Sequence, residues 1–252
     1  MVQVVLSIFG KVPEEFVGFV LSSLDRVYSS AADLEERPAF VEVAIYETSG
    51  RLLEFLVSEA GELGVSAVGL HLVSHEAWRG WPRIHVDYEK LSQLDPETAA
   101  ALVVHEAVHS LVHGSRRYYE VPLGALGGGA PHEVELLYLA STAAKDVEVH
   151  SYLVERVSPR FVELYAQYSL RDAPGVDCSS ASEVLALAKL VAPCAFVDCP
   201  QLPARLRPEC SRILGELLGA LRNLRDSRMD WLGKSYALVE LAAALTSRSS
   251  EE

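Results

Sequence analysis

Apolar and polar residues alternate along this chain with two periods, and the shorter one fades about a third of the way along it. Val2–Phe9 is an apolar run of strand length. Pro13 then opens a helix reaching about Ser30, since proline suits a first turn whose N–H groups have no helical partner. Phe40–Glu47 alternates, with Val41, Val43 and Ile45 on one face, which predicts a half-buried strand. Arg51–Leu63 reads as a helix ended by Gly64. Two further strands follow, Val68–Ser74 with Val68, Leu70 and Leu72 facing a core, and Arg83–Tyr88 with Ile84 and Val86 inward.

Beyond Asp95 the period becomes that of a helix. Asp95 is a capping residue, Pro96 suits the first position and Glu97 the positive helix end. The apolar pattern runs to Val112 and Gly114 stops it. Residues 114–131 form a loop containing Gly127, Gly128 and Gly129, either a lid or a plain connection. A second long helix runs from about His132 to Val157, ended by Pro159, and about four more helices fill 160–252. Strands first and helices afterwards predict an α+β architecture. The expected division is a domain over 1–159 and a helical cap with a cysteine loop over 160–252, with no linker to mark the cap as separate.

Composition narrows the classes. The chain has 252 residues, half of them hydrophobic, enough for a substantial core. A net charge of −13 argues against broad binding to nucleic acid or anionic membrane, both of which need a basic surface. No apolar run approaches the roughly 20 residues that cross a bilayer, and Met1–Gly10 lacks a basic leader and a cleavage site. A cytoplasmic location is the expectation. Asparagine occurs once, at Asn223, methionine is scarce, and arginine outnumbers lysine, which fits a thermophile and equally fits GC-rich codon usage.

The four cysteines, Cys178, Cys194, Cys199 and Cys210, crowd into one proline-containing stretch. Their spacings match no paired CxxC zinc ribbon. Disulfides are the leading expectation, known inside hyperthermophile cells, with free thiols and a metal knot as alternatives.

The chemistry concentrates in His105-Glu106-Ala107-Val108-His109. Positions four apart share one helix face, so both imidazoles can reach one Zn²⁺, and Glu106 projects beside it. Zinc lowers the pKa of its water to about 7, and Glu106 is placed to accept the proton as general base. The flanking Val103, Val104, Ala107, Val108, Ser110 and Leu111 are uncharged, as a buried site helix requires. His113 extends the series, but a rise of 1.5 Å per residue puts it about 12 Å from His105, too far for one ion. It reads as a helix-end residue supporting the ligands.

The third ligand is sought on the second long helix. Its candidates are Asp146, Glu148, Glu135, His150 and His132, with Asp146 leading because it borders an alanine-rich face where a buried acid needs a partner. His150, one turn on, is a candidate to orient a ligand or the substrate oxyanion. Tyr118, Tyr119 and Tyr152 are alternative oxyanion donors.

At HEAVHSLVHG (His105–Gly114) and AAKDVEVHSYLVE (Ala143–Glu155) the chain resembles the zincin metallopeptidases. More narrowly, it is similar to prokaryotic metallopeptidases whose HExxH helix is followed by a helix of the form A-x-D-x-x-x-N. The resemblance covers roughly 50 residues, with His150 standing where that pattern has asparagine. It implies a zincin-like fold, with the HExxH helix packed on a second long helix, and Asp146 as third zinc ligand. The expected activity is zinc-dependent peptide hydrolysis, on a peptide or protein substrate, with Arg83–Tyr88 as the edge strand receiving it. The alternative is a zinc-binding regulatory or interaction protein without turnover.

Overall fold

The computed structural model describes residues 2–34, 37–64, 71–120, 131–171 and 173–249. It divides into two compact units, Met1–Glu120 and Val121–Glu252. The division falls ahead of the expected 159/160 boundary because the second long helix shares its core with the helices that follow it.

The first unit holds a four-stranded sheet in the order β1-β2-β4-β3, formed by β1 (Gln3–Phe9), β2 (Phe40–Tyr46), β3 (Val73–Glu76) and β4 (Arg83–Asp87). The pairs β1–β2 and β2–β4 are parallel, and β3 lies antiparallel on β4. With helices α1 (Glu14–Tyr28), α2 (Ser49–Leu63), the short α3 (Tyr88–Leu91) and α4 (Pro96–Val112), this is an α+β arrangement. Thr48 caps α2, and Gly64 ends it in a left-handed conformation that costs glycine little. The alternating strand at 40–46 is not half-buried. Val41, Val43, Ile45, Ala44 and Tyr46 are all buried, because α2 covers the face that polar alternation would assign to water. The strand expected over 68–74 is found at Val73–Glu76, and 65–70 lie outside the described residues.

The second unit is helical. It comprises α5 (Pro131–Tyr152) continued by a π-helical turn, Leu153–Val157, then α6 (Pro159–Ser169), α7 (Ala181–Val191), the short α8 (Leu202–Arg205), α9 (Pro208–Asp226) and α10 (Trp231–Ser249). Helix α5 supplies Leu137, Ala140, Ala143, Ala144 and Val147 to a core completed by α7, α9 and α10. Disulfides join Cys178 to Cys210 and Cys194 to Cys199. No helix among the described residues is long and apolar enough to cross a membrane. The Gly127–Gly129 segment lies outside the described residues.

Candidate metal centre

Helix α4 starts where its sequence says it should. The Asp95 carboxylate accepts the Thr98 amide N–H at 2.9 Å, and that hydrogen bond holds its pKa below the ordinary aspartate range. Thirteen of its residues are buried, so packing rather than propensity holds it. Tyr28 of α1 shares a buried hydrogen bond of 2.9 Å with Ser110, pinning α4 one residue past His109. Burial pushes that tyrosine's pKa up, so it stays neutral. At the far end His113 is the C-cap, its amide donating to the His109 carbonyl at 2.8 Å. A side chain at Gly114 would run into the Ser110 carbonyl, so the chain can turn away there only with glycine.

The two motif imidazoles converge. Nε2 of His105 and Nε2 of His109 stand 3.1 Å apart, both rings buried. Two nitrogens each about 2.0–2.1 Å from one tetrahedral ion would be about 3.3 Å apart, so this spacing fits a shared zinc ion. Nδ1 of His109 lies 3.1 Å from Nδ1 of His113. A proton on His109 Nδ1, donated to His113, frees His109 Nε2 as a ligand, the usual support for a metal-bound histidine. Glu106, the next residue round the helix from His105, is half-buried.

A residue the sequence reading passed over also borders the pair. His75 of β3 lies flat against His109, ring centroids 6.1 Å apart and planes 10° apart, and its Nδ1 shares a 2.6 Å hydrogen bond with the Tyr119 hydroxyl. The signal was a histidine on a short strand, indistinguishable in sequence from any other. Tyr118 stands edge-on to His113 at 4.9 Å. The strand expected to receive substrate needs correcting: β4 is interior, with β2 on one side and β3 on the other, so its main chain is committed to the sheet. Among the described residues the sheet's edges are β1 and β3, and β3 is the one that borders β4 and carries His75.

In the helical unit the candidate ligands on α5 separate sharply. Asp146 is 4% exposed, and its helix neighbours Ala143, Ala144 and Val147 are buried as well. Glu148 is paired with Lys234 at 2.7 Å, while His132 and Glu135 face solvent. His150 is fully buried, its ring against Tyr165 and Phe196. Tyr152 is buried at the helix end, with the Arg156 guanidinium 5.7 Å from its ring centre. A groove of about 820 Å³ in this unit, lined by Glu163, Phe196, Arg222 and the Cys194–Cys199 disulfide, contains none of these side chains except Phe196.

No family model, curated protein or solved structure matches the chain.

Proposed function

We propose that the protein is a zinc-dependent peptidase of zincin type, with His105, His109 and Asp146 as ligands and Glu106 as general base. The observation that carries this is the 3.1 Å convergence of the two Nε2 atoms on a buried helix that also bears Glu106. Two imidazoles and a carboxylate are a donor set suited to a divalent ion. Asp146 is preferred because it is a buried carboxylate with buried apolar helix neighbours, whereas its acidic rivals are ion-paired or exposed. When bound, zinc would polarise the scissile carbonyl and lower the pKa of water to about 7.

The chain's own residues do the rest. Glu106 takes the proton of the attacking water and delivers it to the leaving amine. His113 holds the His109 ring in its ligating tautomer. Substrate adds as a strand along the open side of β3, where its backbone pairs with the sheet edge and is led past His75 and the metal helix. A base at the position of Glu106 favours turnover over a purely structural zinc site.

Purified protein should carry zinc, and a peptide library should be cleaved. Replacing Glu106 with Gln should leave zinc in place and cut kcat by about 100-fold or more, the range of general-base effects. An unchanged rate would reject Glu106 as the base. Protein that binds no zinc would reject the metal reading, and wild-type protein that binds zinc without cleaving anything would leave only the regulatory role.

A further inference from the structure

The sheet face under α2 carries a second cluster, separate from the HExxH helix. Side chains two apart on a strand share a face, and the register sets Glu42 of β2 and Glu76 of β3 on either side of Arg83, with His85 two residues further along β4. Glu59 reaches them from α2. Arg83 donates from Nε to Glu42 at 2.6 Å and from Nη1 to Glu59 Oε1 at 2.6 Å. Arg79 donates to the same Glu59 oxygen at 2.5 Å, and the Trp78 amide donates to Glu76 Oε2 at 2.8 Å. Burial alone would raise the Glu59 pKa, but the two guanidiniums outweigh it and hold this carboxyl ionised.

Each of Glu59 and Glu76 therefore has one oxygen engaged. The second oxygen of Glu59, Oε2, is buried without a hydrogen-bond partner among the described residues, and so is Nε2 of His85. Glu76 Oε1 lies 3.6 Å from His85 Nε2 and 3.6 Å from Arg83 Nη1, beyond hydrogen-bond length. One donor atom from each of Glu59, Glu76 and His85 falls within 4.8 Å of the others. These residues are 4%, 5% and 1% exposed. Leaving such atoms buried and unsatisfied costs about 1–3 kcal/mol apiece, so a partner is called for.

The chemistry of the set names the partner. His85 Nδ1 is 3.1 Å from the Tyr46 hydroxyl, which burial keeps neutral. A proton on Nδ1 donated to Tyr46 leaves the Nε2 lone pair facing the two carboxylates, the arrangement that supports a metal-bound histidine. Four carboxylates (Glu42, Glu59, Glu62, Glu76) meet two guanidiniums here, leaving two negative charges when His85 is neutral. A proton on His85 offsets one of them. A divalent cation offsets both, although Glu62 is 65% exposed and water screens part of its charge.

We propose that Glu59, Glu76 and His85 form a second divalent-metal site that ties α2 to the sheet. The imidazole selects a transition ion of the zinc, manganese or iron(II) kind over calcium or magnesium. Bonds of about 2.0–2.2 Å place neighbouring ligands about 3.3–3.6 Å apart, so the donors draw in by about an ångström from their widest spacing. Closing the site would add the ion's binding free energy to the stability of this unit.

The test removes the first site, with which this one shares no residue. A full-length chain carrying H105A and H109A, stripped with a chelator, is titrated with Co²⁺ and followed by visible d–d absorption, elemental analysis and thermal melting. One Co²⁺ per chain with a raised Tm is expected, and E76Q or H85Q added to it should weaken binding at least tenfold. Binding of no ion overturns the proposal, with a buried water or a proton then filling the cluster. Binding that both substitutions leave unchanged overturns it as well. Should either variant fail to fold, the paramagnetic shift of the His85 ring in the folded H105A/H109A chain decides, since an unshifted ring rejects it as a ligand. A failed peptidase assay bears on the first site alone.

Discussion

Two histidine-bearing clusters lie in the sheet-containing unit, and they are built by opposite means. His105, His109 and His113 come from one helix and its cap, one turn apart, and they are held by packing and by hydrogen bonds between neighbouring nitrogens. Glu59, Glu76 and His85 come from a helix and two strands, and they are held by ion pairs through Arg83 and Arg79. A helix sets the first geometry whatever the rest of the chain does. The second exists only once the sheet register and α2 are both in place. Losing one residue should therefore damage chemistry in the first cluster and folding in the second.

The largest effect should come from breaking the second cluster at its hub. Arg83→Met removes the guanidinium that Glu42, Glu59 and Glu76 share beneath α2, leaving only Arg79 on Glu59. Stranding buried charge in this way costs about 3–5 kcal/mol. Denaturant unfolding should show that loss, with α2 released first in hydrogen exchange. A loss under about 1 kcal/mol would mean that water reaches these carboxylates and that the cluster is a surface network.

The matching cut in the first cluster is milder and of another kind. His113→Leu removes the partner of His109 Nδ1. Loss of such a support lowers metal affinity about 10–100-fold, or about 1.4–2.7 kcal/mol. Competition against a chelator measures it, and melting of the metal-free protein should shift little. If the metal-free protein is destabilised as much as metal binding is weakened, His113 is a packing residue and the contrast between the clusters fails on this side.

This difference in construction also explains what could be read without a structure. Spacing along one helix is visible in sequence, so His105, Glu106, His109, the Asp95 cap and the Gly114 stop could be named from the string alone. Sheet order is not visible, and Arg83–Tyr88 looked like an edge when it is interior. Burial of a polar face is also hidden. The alternation of Glu42 with Val41 and Val43 reads as water on one side, yet Arg83 pairs with Glu42 there and with Glu59 of α2, which covers that face. No spacing rule links residues 59, 76 and 85, because strand register brings them together. His75 was missed for the same reason. The cysteine pairing was beyond reach too, since four cysteines allow three connectivities.

A gentler change tests whether the second cluster depends on its hydrogen bonds as well as its charges. Tyr46→Phe keeps the ring that stacks on Phe9, centroids 4.8 Å apart, and deletes only the hydroxyl facing His85 Nδ1. Leaving that nitrogen buried and unpaired should cost about 1–3 kcal/mol. A variant as stable as the wild type would show that Nδ1 finds another partner, and that His85 is not oriented by Tyr46.

The smallest effect belongs to the helix start, and its sign with pH is the sharper part. Asp95 is ionised and accepts the Thr98 amide, and its folded pKa lies below that of the unfolded chain. A depressed carboxyl pKa adds stability that is fully present above the unfolded aspartate value and disappears as pH falls through the folded one. Asp95→Asn keeps a capping oxygen but removes the charge that complements the positive end of α4. The variant should therefore melt slightly below the wild type at pH 7, and the gap should close on acidification. A gap that stays constant from neutral to acid pH would assign the effect to cap geometry alone. High salt at pH 7 should shrink it in the same direction, because Asp95 is exposed and its attraction to the helix end is screened.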